Sequence, residues 1–327
     1  MTASNQLTNP RFLFLLPLPL LPRHFPRGRL KSEQKYGIIY VVSKPLLSIV
    51  IANYNYARFL EEAIQSVLSQ SCHDWELIIC DGASTDNSQG IIKKYASHLA
   101  WWCSESDQGQ SDAFNKGFAH ARGSFLTWLN ADDVMLPGVV EKLKSAAEKY
   151  PDCEWFTGGS LWCDPKMRIV KCNVARPFSE MRYRAGIVNV CGPSSFFTKR
   201  LLDAVGGVDT RMKYTMDMKL WFQFRNVCNV KFRPFIDFAW GLRIHEEAKT
   251  SSQAVVNGQV DVAKVYQAQL GKQAASWDKE FALRVGNFPV KPLTPARRFF
   301  SIHWPTALRG LFLTSRLRGH HYSDCFK

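Results

Sequence analysis

From Leu46 to Tyr150 the chain switches back and forth between two hydrophobic periods, and this alternation restricts its fold more than any other feature. Leu46-Leu47-Ser48-Ile49-Val50-Ile51-Ala52 is a short, β-branched apolar run, the pattern of a strand buried on both faces. Leu60, Ile64, Val67 and Leu68 then fall at helical spacing, predicting a helix to about Gln70. Residues 75–80 predict a second strand, followed by a helix to about Ser97. Residues 99–103 predict a third strand, 111–121 a helix and 124–129 a fourth strand. Pro137 suits the first position of a further helix to about Tyr150, with Val140, Leu143 and Ala147 on one face. Strands alternating with helices form βαβ units with right-handed crossovers. The expected class is therefore α/β, with a mainly parallel central sheet flanked by helices.

In such sheets ligands bind beyond the carboxyl ends of the strands. Asn53 with Tyr54, then Asp81, then 104–107, then 130–133 all follow strand ends and should converge on one rim. The second half is less regular. Residues 155–163 and 167–172 read as a hairpin, and 194–197 as a strand before a short helix ended by Gly206-Gly207. A helix should begin near Asp217 with Leu220, Trp221 and Phe224 inward. Residues 230–238 and 240–245 look extended, and 253–270 predict a helix.

The 327 residues carry a formal net charge of +14, which invites a nucleic-acid reading. Its distribution argues otherwise. Residues 1–44 hold seven basic residues and one acid, and residues 286–327 hold the same numbers, so 45–285 is left at +2. A domain that grips duplex DNA would carry a basic face of its own. Nine cysteines without a C-x-x-C indicate neither a disulfide framework nor a zinc site, and fit a reducing cytosol. Cys80, inside an apolar run, reads as a small core residue. The apolar run 12–21 is broken by Pro17 and Pro19 and is too short to span a bilayer, and no segment reaches 18 consecutive apolar residues. Residues 1–44 therefore read as a disordered or non-native extension, 45–252 as the folded domain, and 253–327 as a helical extension with a basic and aromatic tail.

No G-x-G-x-x-G, Walker A or G-x-S-x-G sequence occurs, which disfavours a Rossmann dinucleotide site, a P-loop and a nucleophile elbow. Other groups remain, each with an ordinary alternative. The loop Asp81-Gly82-Ala83-Ser84-Thr85-Asp86 can accept hydrogen bonds from a base or ribose, or can be a turn with a helix cap. Asp132 and Asp133 are adjacent carboxylates after a strand. A hard divalent cation would relieve their repulsion, and capping the next helix would equally account for one of them. Asp217 stands at a helix start, where an acid commonly serves the helix alone. His245 ends an extended segment and could be a ligand or an ordinary surface or core histidine.

The order of these groups along one scaffold is informative. Ser48 to Asn55, Asp81 to Asp86, Asp107 to Gly117, Trp128-Leu129-Asn130-Ala131-Asp132-Asp133, Gly192-Pro193-Ser194-Ser195-Phe196-Phe197, Gly206-Gly207 with Asp209, Met216-Asp217 with Leu220-Trp221, and Arg243 to Ser251 together resemble the family 2 glycosyltransferases of GT-A fold. The resemblance covers about residues 46–252 and looks closest to bacterial enzymes of surface-polysaccharide assembly.

That resemblance implies an inverting, metal-dependent glycosyltransferase. It would move a sugar from a nucleoside-diphosphate sugar, with a UDP-sugar favoured, to a hydroxyl of a glycan or lipid-linked acceptor built against the second half. Ala52 and Tyr54 match positions lining the base, and Asp81 matches the acid that reads it. Asp86 would lie near the ribose or cap its own helix, and Asp107 belongs to the nucleotide set. Asn130 and Asp132 match the D-x-D motif, with Asn130 on the nucleotide side and Asp132 on Mn²⁺ or Mg²⁺. Asp217 matches the general base, and His245 falls where some relatives hold the metal or diphosphate. Two departures stand out. Asn130 replaces the first acid of D-x-D, and Phe114 replaces an Arg that many relatives carry, leaving Lys116 and Arg122 as candidates for its contact. They motivate an alternative, a non-catalytic nucleotide-sugar-binding protein on a degenerate scaffold.

The tail from Arg297 to Arg318 mixes basic residues with Leu308, Leu311, Phe312 and Leu313. It could lie on an anionic membrane surface, pack on the protein's own body or be solvated, and Pro305 and Gly310 should interrupt any long helix. The expected location is cytoplasmic, peripheral to the inner face of the plasma membrane, with no nucleic-acid partner.

Overall fold

β1 (Leu47–Asn53) lies inside the parallel half of a mixed sheet. In the computed structural model, which describes residues 44–180, 183, 190, 192–212, 216–248 and 304–326, it pairs in parallel on both sides. Its neighbours are β2 (Trp75–Asp81) and β4 (Phe125–Asn130). β3 (Trp101–Ser104) extends the parallel half beyond β2. The crossovers are α1 (Ala57–Leu68), α2 (Ser88–Lys94) and α3 (Gln110–His120). The strand order 3-2-1-4 places a switch point between β1 and β4, where the chain leaves β1 toward one side of the sheet and returns on the other. This half follows the hydrophobic periods closely: Leu60, Ile64 and Val67 are buried along α1 as expected, with Leu68 partly buried.

β1 is apolar on both faces because both are covered. Leu47, Ile49 and Ile51 join the core beneath α1 and α4 (Val139–Lys149). Val50 joins the other core, beneath α3. Gly117 makes the second contact possible, because a Cβ there would lie 2.3 Å from Val50 Cγ1. α4 begins two residues later than expected. Pro137 sits in a turn, and Gly138, at φ 76, precedes the helix with no side-chain cap. Neither Asp132 nor Asp133 caps α4, which removes the ordinary account of that pair.

The second half is held by antiparallel pairing between distant segments. β6 (Trp155–Cys163) and β7 (Ile169–Asn173) form the expected hairpin. β8 (Ser195–Thr198) lies antiparallel to both β4 and β6. β9 (Arg233–Arg243) is one continuous strand where two extended pieces are predicted, parallel to β6. The two-residue β5 (Val134–Met135), absent from the sequence reading, pairs with β9 through Val134–Gly241 and Met135–Trp240. α5 (Lys199–Ala204) ends in Gly206 and Gly207 at φ 77 and 84, as predicted. α6 (Met216–Asn226) buries Leu220, Trp221 and Phe224. Trp221 stacks on Trp128 of β4 at a 5.6 Å centroid distance and on Trp155 of β6 at 5.2 Å, fixing this helix to the sheet. The predicted helix at 253–270 lies outside the described residues. All eight described cysteines are free.

α7 (Trp304–Leu317) packs on the body through Gly310, Leu313, Thr314 and Leu317. It is unbroken. Pro305 falls in the first turn, where its missing N–H has no helical partner to lose, and Gly310 faces the Cys172 carbonyl of β7. Among the described residues no helix is long and apolar enough to cross a membrane.

Asp209, just after the glycine pair, forms a buried ion pair with Lys219 of α6 and a second pair with Arg211. Burial alone would raise the Asp209 carboxyl, but hydrogen bonds from Arg211 and Lys219 outweigh it and hold the pKa at about 2 instead of 3.8. The pKa is depressed by folding, so this contribution is present above the unfolded value and is lost as pH falls toward about 2. Asp209→Asn should lower the unfolding free energy by about 3 kcal/mol at neutral pH, because the buried Lys219 ammonium loses its carboxylate. In urea titrations the gap from the parent should shrink on going to about pH 3.

Candidate active site

The strand register assembles the rim. Asn53 ends β1 beside Asp81, and Ala52, one residue earlier, lies between Cys80 and Asn130. Asp81 is almost fully buried and receives four hydrogen bonds. Asn53 Nδ2 (2.6 Å) and the Ser84 hydroxyl reach Oδ1; the Ser84 N–H (3.0 Å) and the Ser104 hydroxyl (2.5 Å) reach Oδ2. Two of the donors are hydroxyls, which can turn away and free an oxygen for a ligand N–H. Tyr54 projects from the same strand end, 61% exposed. Between Tyr54 and Asp107 sits Gly82: a Cβ there would lie 3.3 Å from the tyrosine ring and 2.8 Å from Asp107 Oδ2. The Asp107 carboxylate also accepts the N–H of Gly109, the residue before α3.

Asp86 takes the capping role left open by the sequence. Its two oxygens accept the N–H groups of Ala57, the first residue of α1, and of Ser88, the first of α2. Burial alone would raise its pKa, but the hydrogen bonds from Ser88 and Ala57 bring it below the usual carboxylate range. Asp86 thus joins two helix starts under the rim.

Beyond β4 the chain brings Asp132 and His245 together across 113 residues of sequence, with Asp132 Oδ2 3.0 Å from His245 Nε2. His245 is buried between the rings of Phe59 (4.9 Å between centroids) and Tyr56 (5.8 Å). Its Nδ1 is buried with no hydrogen-bond partner among the described residues. Tyr56 is a neighbour that the sequence reading did not single out. Burial and the charges of Asp132 and Glu247 raise its hydroxyl pKa to about 12. Asp133, by contrast, is entirely buried. Burial, then the neighbouring Asp132 charge, pushes its carboxyl well above the usual range. It accepts the Arg243 N–H (3.0 Å) and the Asn130 amide (2.7 Å).

Arg243 is the other residue that sequence reasoning missed. Its guanidinium is buried, donates to the Asp132 carbonyl (2.9 Å), the Pro165 carbonyl (2.9 Å) and Glu62, and lies over the Phe59 ring. Its only sequence signal is a basic residue two before His245, at the end of an extended run.

Asp217 lies in the first turn of α6. The adjacent Met216 sulfur accepts the Ser111 hydroxyl (2.9 Å) in the first turn of α3. The residue preceding Ser111, Gln110, donates to Asn130 (2.9 Å), so the start of α6 meets the start of α3, the helix whose first residue reaches the rim.

The candidates for the missing Arg contact separate. Phe114 is fully buried against Trp128. Arg122 pairs with Glu76, which also accepts from Ser48, at the amino ends of β1 and β2 and hence away from the rim. Lys116 stays on the rim side, near the Ser106 carbonyl, and is paired with Glu105 and Asp112.

Among the described residues no group of three or more His, Cys, Asp and Glu side chains is arranged to hold a metal. Asp132 and His245 nevertheless present one carboxylate and one imidazole at close range. Two protein ligands suit a cation whose remaining positions are filled by diphosphate oxygens and water.

The α/β sheet with polar residues gathered at the β1/β4 switch point is of GT-A type, the fold of a glycosyltransferase structure with which it aligns. The model of the family described as "Glycosyl transferase family 2" matches residues 48–160. An uncharacterized glycosyltransferase of Mycobacterium tuberculosis is 30% identical over 194 residues, 58% of this chain and 72% of that protein. Another, of Nostoc, is 43% identical over 100 residues, 30% of this chain and 31% of that one. The chain thus spans 31% of the length of the Nostoc relative, and 62% of the length of one from Rickettsia prowazekii. Among solved structures, Staphylococcus aureus TarS 1–349 in complex with UDP-GlcNAc aligns at a TM-score of 0.50 and 14% identity, over 68% of this chain and 66% of that one, a likeness of fold. The chain belongs to glycosyl transferase family 2.

Proposed function

We propose that the protein transfers a sugar from a nucleoside-diphosphate sugar, a UDP-sugar by preference, to a hydroxyl of a glycan or lipid-linked acceptor, with inversion at the anomeric carbon. The observation that carries this reading is the arrangement around the β1/β4 switch point: a buried acid at one strand end, and Asp132 against His245 beyond the other.

On this reading the base stacks on the exposed Tyr54 ring with Ala52 beneath it. Asp81 accepts the base N–H once the Ser104 or Ser84 hydroxyl turns aside. Asp107 and Asn130 face the ribose and diphosphate side. Asp132 and His245 would hold Mn²⁺ or Mg²⁺, which supplies Lewis-acid neutralisation of the leaving diphosphate. Asp217 takes the acceptor hydroxyl proton as that oxygen attacks opposite the leaving group, and a single displacement of this kind inverts the anomeric centre. TarS, which shares the fold, was solved with UDP-GlcNAc, and the preference for a uridine donor agrees with that.

Asp217→Asn should reduce transfer by at least ~100-fold, in the range of a lost general base, with UDP affinity in the presence of Mn²⁺ held. A UDP-release assay beside calorimetric UDP titration reads both. Wild-type-like turnover would remove Asp217 from the role of base. UDP binding without sugar transfer, across a broad donor and acceptor panel, would point to the non-catalytic alternative.

We further place the outer face of α7 on an anionic membrane, where lipid-linked acceptors reside. Leu308, Leu311 and Phe312 are 58%, 69% and 63% exposed on the side opposite the packed face. Arg316 and Arg318 are exposed beside them. Burying apolar side chains at the headgroup boundary with basic residues alongside is how interfacial helices bind. Replacing Leu308, Leu311 and Phe312 together by Ser should cut co-sedimentation with phosphatidylglycerol vesicles several-fold without changing the melting temperature. Unchanged sedimentation would refute the membrane contact.

A further inference from the structure

Asn130, where the family pattern has an acid, is held between two partners of opposite kind. Its Oδ1 accepts Gln110 Nε2 (2.9 Å), and its Nδ2 donates to Asp133 Oδ2 (2.7 Å). An amide accepts at one atom and donates at the other, which an ionised carboxylate cannot do. A carboxylate at position 130 could still take the Gln110 bond, but it would face the buried Asp133 carboxyl without an N–H to give, and the two could meet only by sharing a proton. The Asn is therefore fitted to its neighbours on both sides.

Asp133 is the hub of the same loop. Its second oxygen, Oδ1, accepts the Arg243 N–H (3.0 Å), and its own N–H closes a turn onto the Asn130 carbonyl (3.1 Å). Arg243 in turn donates from Nε to the Asp132 carbonyl (2.9 Å). The loop around Asp132 is thus fastened, to α3 through the Asn130 side chain and to β9 through the Asp132 carbonyl and the Asp133 carboxyl, while the Asp132 side chain points to His245.

We propose that Asn130 and Asp133 act as one positioning pair, a donor amide on a buried acceptor carboxylate, that fixes the Asp132 carboxylate for the metal–diphosphate side of the reaction. This rests on the transferase reading above. Position 130 contributes by orienting Asp132, and Asp133 is a positioning residue with no metal contact of its own.

A reciprocal swap tests it. Asn130→Asp alone sets two carboxyl groups face to face, joined at best by a shared proton in place of the amide N–H, and Asp133→Asn alone leaves an amide N–H facing either the Asn130 amide or the Arg243 N–H. The double variant restores one donor and one acceptor. Its amide at position 133 can donate to the carboxylate at position 130 and still accept the Arg243 N–H, and that carboxylate can still accept Gln110. The readouts are the Mn²⁺ concentration giving half-maximal UDP binding by calorimetry, and urea unfolding without ligand. Each single variant should raise the Mn²⁺ requirement by about 10–100-fold, the usual effect of removing an outer partner of a metal ligand, and the double should return to within about threefold of the parent. Unfolding should show the same non-additivity. Losses that multiply in the double, in binding or in unfolding, would overturn the pairing. So would Asn130→Asp alone binding Mn²⁺–UDP as well as the parent, the result for a simple D-x-D position. If the singles do not fold, a folded double supports the proposal and an unfolded double refutes it. A parent that binds neither UDP nor GDP with Mn²⁺ would sink the transferase reading, and the unfolding cycle would still decide the pairing.

Discussion

The parallel pairing of β1 with both β2 and β4 is the constraint on which the rest of the molecule depends. A parallel strand needs a crossover, and the crossovers here leave β1 in one direction and return on its other side. The gap so formed lies at the carboxyl ends of three strands. Three register pairs, Ala52 with Cys80, Asn53 with Asp81 and Ala52 with Asn130, then decide which side chains meet there. The β-branched residues that fill both faces of β1 bury it, and the polar residues start where the apolar run stops. The site is therefore a direct consequence of where the hydrophobic run ends.

This explains what could be read from the chain alone. In residues 46–150 period, length and turn residues mark each strand and helix locally, and the alternation of strands with helices is enough to imply parallel pairing, even though β1 meets β4 across two intervening strands. The polar strand ends could be gathered on one rim without knowing any distance. In the second half the decisive contacts are long-range. β5 is two residues long and exists only because Gly241 and Trp240 of β9 lie beside it. β8 is defined by β4 and β6 together. Asp86 shows a different limit. Its sequence suits a ribose contact and a cap equally, and the helix contact it makes in the fold involves Ala57, 29 residues earlier. The role of Arg243 could not be read locally because its partners, Asp132, Pro165 and Glu62, come from three separate segments.

The basic excess divides by the same physical reasoning. Within the body, cations are committed to carboxylates: Arg122 to Glu76 at the far end of the sheet, Lys219 to Asp209 in the interior, Lys116 to Glu105 and Asp112 beside the rim. None of these forms a continuous basic face. The exposed Arg316 and Arg318 stand beside apolar side chains on α7, whose other face is held to β7. Charge next to exposed apolar area differs from a phosphate-gripping surface, which needs cations without the apolar residues; the membrane contact proposed for this face would use both.

Two adjacent carboxylates ordinarily repel, and the way this loop accommodates Asp132 and Asp133 accounts for much of the local design. Asp133 is taken out of water completely, which is tolerable only because N–H donors meet both of its oxygens. Arg243 brings a buried cation to the carbonyl of Asp132 and carries its own N–H to Asp133, so one residue steadies both. With Asp133 enclosed, Asp132 alone keeps a carboxylate facing His245. The imidazole is itself confined by Phe59 and Tyr56, and Phe59 also carries the Arg243 guanidinium on its face. A single aromatic ring on α1 thus packs against both the histidine and the arginine. The helix following β1 thereby sets the geometry of a carboxylate–imidazole pair contributed from the ends of β4 and β9.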